Sequence, residues 1–190
     1  AATGDSFPLE RICPLRFDAP LAPPAAARRE GRQIDSHVMR EGARGWSDHA
    51  DVLLIEGIGG MHCPIAPGET LADLAADLGV PLILVSPLVL GSINHTLMTI
   101  EVAEHRGLTV AAILFNDVRG ESRDVIESTI TEITARTAIP VWGTIPFNVT
   151  DRIEPLAPFE GTPDQVLLQL LAVQCHTADA EGGAILHMEK

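Results

Sequence analysis

DVLLIEGIGGMHCP, residues 51–64, is the stretch on which the reading of the fold turns. Four apolar residues, Val52 to Ile55, predict a strand buried on both faces. The strand stops on a charge, Glu56, and runs into a glycine-rich turn, Gly57-Ile58-Gly59-Gly60. A carboxylate at the carboxyl end of a buried strand, with flexible backbone beyond it, lies where open α/β sheets take their ligands. Glu56 can serve a magnesium ion there, and the turn lets backbone N–H groups approach phosphate oxygens. Spacing alone fits an ordinary surface turn equally well.

Working outward, the alternation of elements sets the class. Thr70 and Asp73 form a capping-box pattern, with Leu71, Leu74 and Leu78 on one helical face and Gly79 as the stop. Residues 80–86 predict a second buried strand, and residues 92–106 a helix with Ile93, Leu97 and Ile100 inward. Residues 109–115 predict a third strand, 121–137 a helix with Ile126, Ile130 and Ile133 inward, and 141–145 a fourth strand. Thr162-Pro163-Asp164 opens a helix to about Cys175. Upstream, Asp35 is a candidate cap for a helix reaching Ala50, and residues 13–24 hold too many prolines for regular structure throughout. Four strand–helix alternations predict a doubly wound parallel sheet; a (β/α)8 barrel does not fit the length. The expected organisation is one α/β domain over residues 1–176 and a polar tail over 177–190.

Composition agrees with that class and excludes others. The 190 residues are 46% hydrophobic but 4% aromatic, so aliphatic side chains fill the core. A formal net charge of −13 argues against nucleic acid or an anionic membrane as partner. No apolar run is long enough to span a bilayer. Three scattered cysteines, Cys13, Cys63 and Cys175, make neither a disulfide framework nor a zinc spacing, and a reducing cytoplasm is the expected compartment.

Each predicted strand ends in chemically pointed residues: Glu56 with its glycine turn, the helix start Gly91-Ser92-Ile93-Asn94, the pair Asn116-Asp117, and Pro146-Phe147. A helix start suits a carboxylate or phosphate, although simple capping by Ser92 also explains it. Asn116 matches the donor–acceptor edge of a purine, or is a turn residue. Phe147 can stack on a base or close the core. His62 and Cys63 are too few to argue for a metal, and His95 reads as structural.

In order, IEGIGG, LGSINHT, ILFNDV and GTIPF, with RFDAPLAPPAAARREGRQID upstream, resemble the dethiobiotin synthase family over residues up to about 175. That resemblance implies a P-loop NTPase-like three-layer α/β fold and an ATP-dependent ligase of biotin synthesis. Glu56 would hold Mg2+; Gly57, Ile58 and Gly59 would line the ATP phosphates. Asn116 and Asp117 would contact adenine, and Pro146, Phe147 and Asn148 would form the loop against the base. Gly91, Ser92, Ile93 and Asn94 would hold the carboxylate of diaminopelargonate, reached from the second subunit of a homodimer. ATP, diaminopelargonate and CO2 or bicarbonate are the implied partners.

The departures are as informative. The family opens with a strand and a GxxxxGK[ST] loop, and the 190 residues hold no such motif. Their sole lysine is Lys190, so no residue matches the family's catalytic lysines. Ile58 stands for the usual alanine and Pro24 for the usual histidine. The expectation is therefore a dethiobiotin synthase chain without its first strand and loop, inactive as it stands. The alternatives are a degenerate, non-catalytic paralogue and another ATP-dependent amidoligase of the same superfamily.

Overall fold

Apolar runs become strands where the sequence predicts them, within one or two residues. A computed structural model describes residues 7–50, 52–148, 154–155 and 184–189. The chain runs through α1 (Leu9–Ile12), α2 (Pro23–Arg29), α3 (His37–Arg44), β1 (Val52–Glu56), β2 (Pro64–Ala66) and β3 (Glu69–Thr70). Then come α4 (Leu71–Leu78), β4 (Leu82–Pro87), α5 (Ser92–His105), β5 (Val110–Asn116), α6 (Arg123–Thr134), β6 (Val141–Ile145), β7 (Glu154–Pro155) and β8 (Ala184–Glu189).

The sheet order is β1-β8-β4-β5-β6-β7, with β2 and β3 forming a separate hairpin. β4, β5 and β6 pair in parallel. β8 pairs antiparallel to both β1 and β4, so β1 runs parallel to β4 across it. β7 adds an antiparallel edge beside β6. The parallel frame is the predicted one; the two antiparallel additions are not. Residues 184–189, read in the sequence as part of a polar tail, are instead a strand inside the sheet. Their backbone supplies hydrogen-bond partners to β1 and β4 at once, groups that a buried sheet must satisfy.

Both sheet faces are apolar, as parallel strands require. Leu84, Ile113 and Phe115 face α5 and α6, meeting Ile100, Ile130 and Ile133. Ile83, Leu114 and Ile145 form a cluster of their own, joined by Val85 and Trp142. By strand alternation these residues line the opposite face. A further cluster joins α4 to the start of the sheet through Leu71, Leu74, Ala75, Val80 and Leu82. Each fully buried Leu or Ile contributes about 1.5–3 kcal/mol relative to exposure.

The capping box at Thr70 is present as read: Asp73 accepts from the Thr70 N–H at 2.8 Å, and Gly79 closes α4 in the left-handed region. α3 stops at Arg44 rather than Ala50, because Trp46, Ser47 and His49 bond three residues back and tighten the chain into turns. α6 is shorter at both ends than residues 121–137. The helix predicted from Thr162 lies outside the described residues.

A tertiary network adds what periodicity could not show. The buried Arg40 donates from Nε to Asp77 at 2.8 Å and from Nη2 to Glu69 at 2.8 Å, while Ser36 Oγ donates to Glu69 at 2.7 Å. Those bonds hold α3, β3 and α4 together. Ser36 and Arg40 hold Glu69 below the usual carboxylate range, and Thr70, helped by Arg106, does the same for Asp73.

Candidate nucleotide site

The carboxyl ends of β1, β4, β5 and β6 point to one edge of the sheet. Pro87 pairs with Asn116, and Asn116 with Ile145, so three strand ends are level. Leu88 N–H donates to the Asn116 carbonyl at 2.8 Å, and Asp117 N–H to the Ile145 carbonyl at 2.9 Å, which ties the loops together. Glu56 points the same way but is set back. It pairs with Ile185, which also pairs with Ile83, four residues short of Pro87. At the rise of a strand that is a step of about 13 Å.

Glu56 is exposed and its carboxylate makes no hydrogen bond among the described residues. The turn after it is built against α4. Gly57 has no room for a side chain, since a Cβ would lie 2.4 Å from Leu71 Cδ2. The carbonyls of Cys63 and Met61 accept from the N–H groups of Leu71 and Ala72, both at 3.0 Å, so the turn satisfies the first donors of α4. The N–H groups of Ile58 and Gly59 find no acceptor among the described residues.

At the second strand end, α5 starts from Gly91, at φ 96°. Ser92 does not cap from the surface. Its hydroxyl is buried, accepts from Val89 N–H at 2.8 Å and lies against the Pro87 and Val89 carbonyls, fixing the turn from within. Ile93 and Asn94 keep N–H groups without an acceptor among the described residues, and Asn94 is exposed. Leu90, fully exposed, and Met98, half exposed, flank this start.

Asp117 is not simply a turn residue. Its carboxylate is buried, and one oxygen accepts from the N–H groups of Arg119, Gly120 and Glu121 at 3.1, 2.8 and 3.1 Å. Sequence spacing could not show that; an Asp shortly before a glycine-bearing loop is the only hint. The Asn116 carboxamide makes no hydrogen bond among the described residues, and Phe147 is 43% exposed. Asn148, at φ 57°, turns the chain away immediately after the ring. The structure thus brings Asn116, Asp117 and residues 146–148 to adjoining loops and puts Gly91–Asn94 beside them on the same edge.

Among the described residues no group of three or more His, Cys, Asp or Glu can hold a metal. His62 and Cys63 make no such site. A lone exposed carboxylate fits a magnesium ion that draws its other ligands from substrate and water, and does not fit an all-protein cage. A cavity of about 270 Å3 lies at the opposite edge, lined by Gly79, Pro81, Arg106 and Thr109 among others. Its Arg106 is paired with Asp73, and the cavity has no part in this site.

β1, β4, β5 and β6 run parallel in a mixed α/β sheet, and a family model described as AAA domain matches residues 2–150, which makes this a P-loop NTPase-like α/β domain. The chain is 47% identical over 115 residues to the ATP-dependent dethiobiotin synthetase BioD of Anaeromyxobacter dehalogenans (strain 2CP-C), covering 60% of this chain and 52% of that one. It is 35% identical over 150 residues to the enzyme of that name from Corynebacterium glutamicum (strain R), covering 75% and 67%. It is 37% identical over 136 residues to the ATP-dependent dethiobiotin synthetase BioD 1 of Escherichia coli (strain K12), covering 72% and 60%. The chain belongs to the dethiobiotin synthetase family, a family of ATP-dependent ligases. It spans about half the length of the first curated relatives it matches.

Proposed function

We propose that this chain carries the nucleotide-base and substrate-carboxylate parts of a cytoplasmic, homodimeric dethiobiotin synthetase that uses ATP, Mg2+ and CO2 or bicarbonate to convert 7,8-diaminopelargonate to dethiobiotin. The observation that carries the reading is the gathering of Asn116, Asp117, Pro146, Phe147 and Asn148 on the sheet edge that also presents Gly91–Asn94, in a chain of this family. In the reaction, one amine of the substrate takes up CO2 as a carbamate, ATP phosphorylates it, and the second amine closes the ureido ring with loss of phosphate.

Asn116 presents a donor and an acceptor to the base, and Phe147 offers it a flat apolar face. The N–H groups of Ile93 and Asn94, at the positive end of α5, hold the substrate carboxylate. Glu56, with the N–H groups of Ile58 and Gly59, faces the triphosphate. Bound Mg2+ would neutralise phosphate charge at Glu56. The stagger of Glu56 from the other strand ends leaves length for a nucleotide to stretch between base loop and acid.

Phosphoryl transfer also needs a cradle of donors and a positive charge on the phosphates. With Lys190 as their only lysine and no GxxxxGK[ST] motif, the 190 residues alone are expected to give no turnover. The test is dethiobiotin formation from diaminopelargonate, ATP, Mg2+ and bicarbonate, run on this chain and on one preceded by a strand, phosphate-binding loop and lysines. Activity only in the extended chain, abolished by Glu56→Ala, supports the reading. Turnover by the 190 residues alone would overturn the assigned need for the cradle, and ring closure that survives Glu56→Ala in the extended chain would remove Glu56 from the site.

A further inference from the structure

The ring of Phe147 is 43% exposed, and it lies against Gly120. A Cβ at Gly120 would stand 2.9 Å from Phe147 Cδ1 and 3.4 Å from Cε1 and Cγ. Carbon atoms do not approach that closely, so any side chain at residue 120 must displace either its own loop or the ring.

The loop cannot yield easily. Asp117 gathers three of its N–H groups on one buried carboxylate oxygen, and the Asp117 N–H is itself fastened to the Ile145 carbonyl of β6. Charge-assisted bonds of this kind are the strong ones. The ring, 43% exposed and hinged two residues beyond β6, is the part free to move. Gly120 also sits at φ 72°, in the left-handed region where only Gly and, less readily, Asn or Asp are at ease.

We infer that Gly120 is a positioning residue: by its lack of a side chain it seats Phe147 as a shelf, and so sets the affinity of the site for a purine base. The inference rests on the base-pocket reading given above and adds to it a residue that touches no ligand. Asp117 belongs to the same device, since it holds the loop against which the ring rests.

The test uses the full 190-residue chain labelled with 4-fluorophenylalanine, the Phe147 fluorine signal being assigned by its loss in Phe147→Leu. Adenosine is titrated, with ribose as the base-less probe. Adenosine should move the Phe147 signal and ribose should not. Gly120→Ala should move that signal before any ligand is added and weaken adenosine about tenfold, within the range a stacked base contributes. Gly31→Ala, at φ 64° with open space around it, carries the same backbone penalty without a ring above it and should do neither. Gly120→Asn tolerates the backbone better while keeping the offending Cβ, and should reproduce the effect if the alanine variant folds poorly. In a Phe147→Leu background the Gly120 substitutions should have no further effect on adenosine. A Phe147 signal and an adenosine affinity unmoved by both Gly120 variants, or equal weakening in the leucine background, would overturn the inference. Adenosine that leaves the unaltered chain's Phe147 signal in place would overturn the base pocket itself, a separate result.

Discussion

Replacing Gly57 by alanine puts a methyl group where Leu71 already is. The added Cβ would lie 2.4 and 2.8 Å from the two Leu71 methyl carbons and 3.1 Å from Cγ. Leu71 cannot swing clear: it is 2% exposed, sits in the cluster with Met61, Ile65, Leu74 and Ala75, and its N–H is bonded to the Cys63 carbonyl. Forcing a carbon into such a place costs about 1–3 kcal/mol. For a chain of this size that is a fall in Tm of about 2–4 °C per kcal/mol. Leu71→Ala alone should cost about 2–5 kcal/mol through lost burial and the cavity it leaves. In the double variant the methyl group added by Gly57→Ala enters that cavity, so the pair should cost at least about 1 kcal/mol less than the two single losses together. Urea unfolding of the parent, the two single variants and the double variant, followed by far-UV circular dichroism, measures all of these, provided the slope m is unchanged. Losses that add to within about 0.5 kcal/mol would show that Gly57 is not held against Leu71, and that Glu56 is not fixed by this packing.

Four further outcomes are expected. Arg40→Met should destabilise by about 1–3 kcal/mol, less than for a fully buried pair because Asp77 is half exposed, and Asp77→Asn should cost less than Arg40→Met; equal stability of Arg40→Met and the parent in urea would refute the network's role. Glu69 and Asp73 are held below their ordinary values of about 4, so their contribution is present above that pH and lost as pH falls through the folded-state values; Arg40→Met should flatten the acid limb of stability against pH, and an unchanged limb would contradict it. Thr144→Val should be neutral or stabilising by up to about 1 kcal/mol, since the buried Thr144 hydroxyl has no hydrogen-bond partner among the described residues; a loss above about 1 kcal/mol would mean that the hydroxyl is bonded in solution. Asp117→Ala should cost about 2–3 kcal/mol and speed hydrogen exchange at Arg119, Gly120 and Glu121, and unchanged exchange there would remove Asp117 as the loop's anchor.

What could be read in the sequence was what chain-local physics decides. The strands at 52–56 and 141–145 are apolar runs of strand length, and the Thr70–Asp73 box needs only residues three apart. The helix faces of Ile93, Leu97 and Ile100, and of Ile126, Ile130 and Ile133, follow from the 3.6-residue period and do face the core. The strand-end residues could be listed because parallel sheets gather them by topology. What escaped was whatever depends on residues far apart meeting. Arg40 finds Glu69 and Asp77 only after α3 and α4 pack. Gly57 reads as a flexible turn residue but is required by the approach of Leu71, and Gly120 by that of Phe147. Ser92 looks like a surface cap and is buried. Asp117 looks like a base contact, while one of its oxygens is already occupied by its own loop. The short strands β2 and β3 carry too few residues for any period to show.

The place of β8 bears on how the molecule is put together in time. Residue 52 pairs with residue 189, so closing this part of the sheet means bringing together segments separated by most of the chain. Loop closure over such a span is slow compared with helix formation or with the adjacent β4–β5 pairing. Until it happens, β1 and β4 each present an open row of backbone donors and acceptors to whatever strand is nearby, including that of another molecule. The strand that carries Glu56 is thereby expected to join β4, β5 and β6 late, and the interval before it does is when a neighbouring chain can take the place of β8.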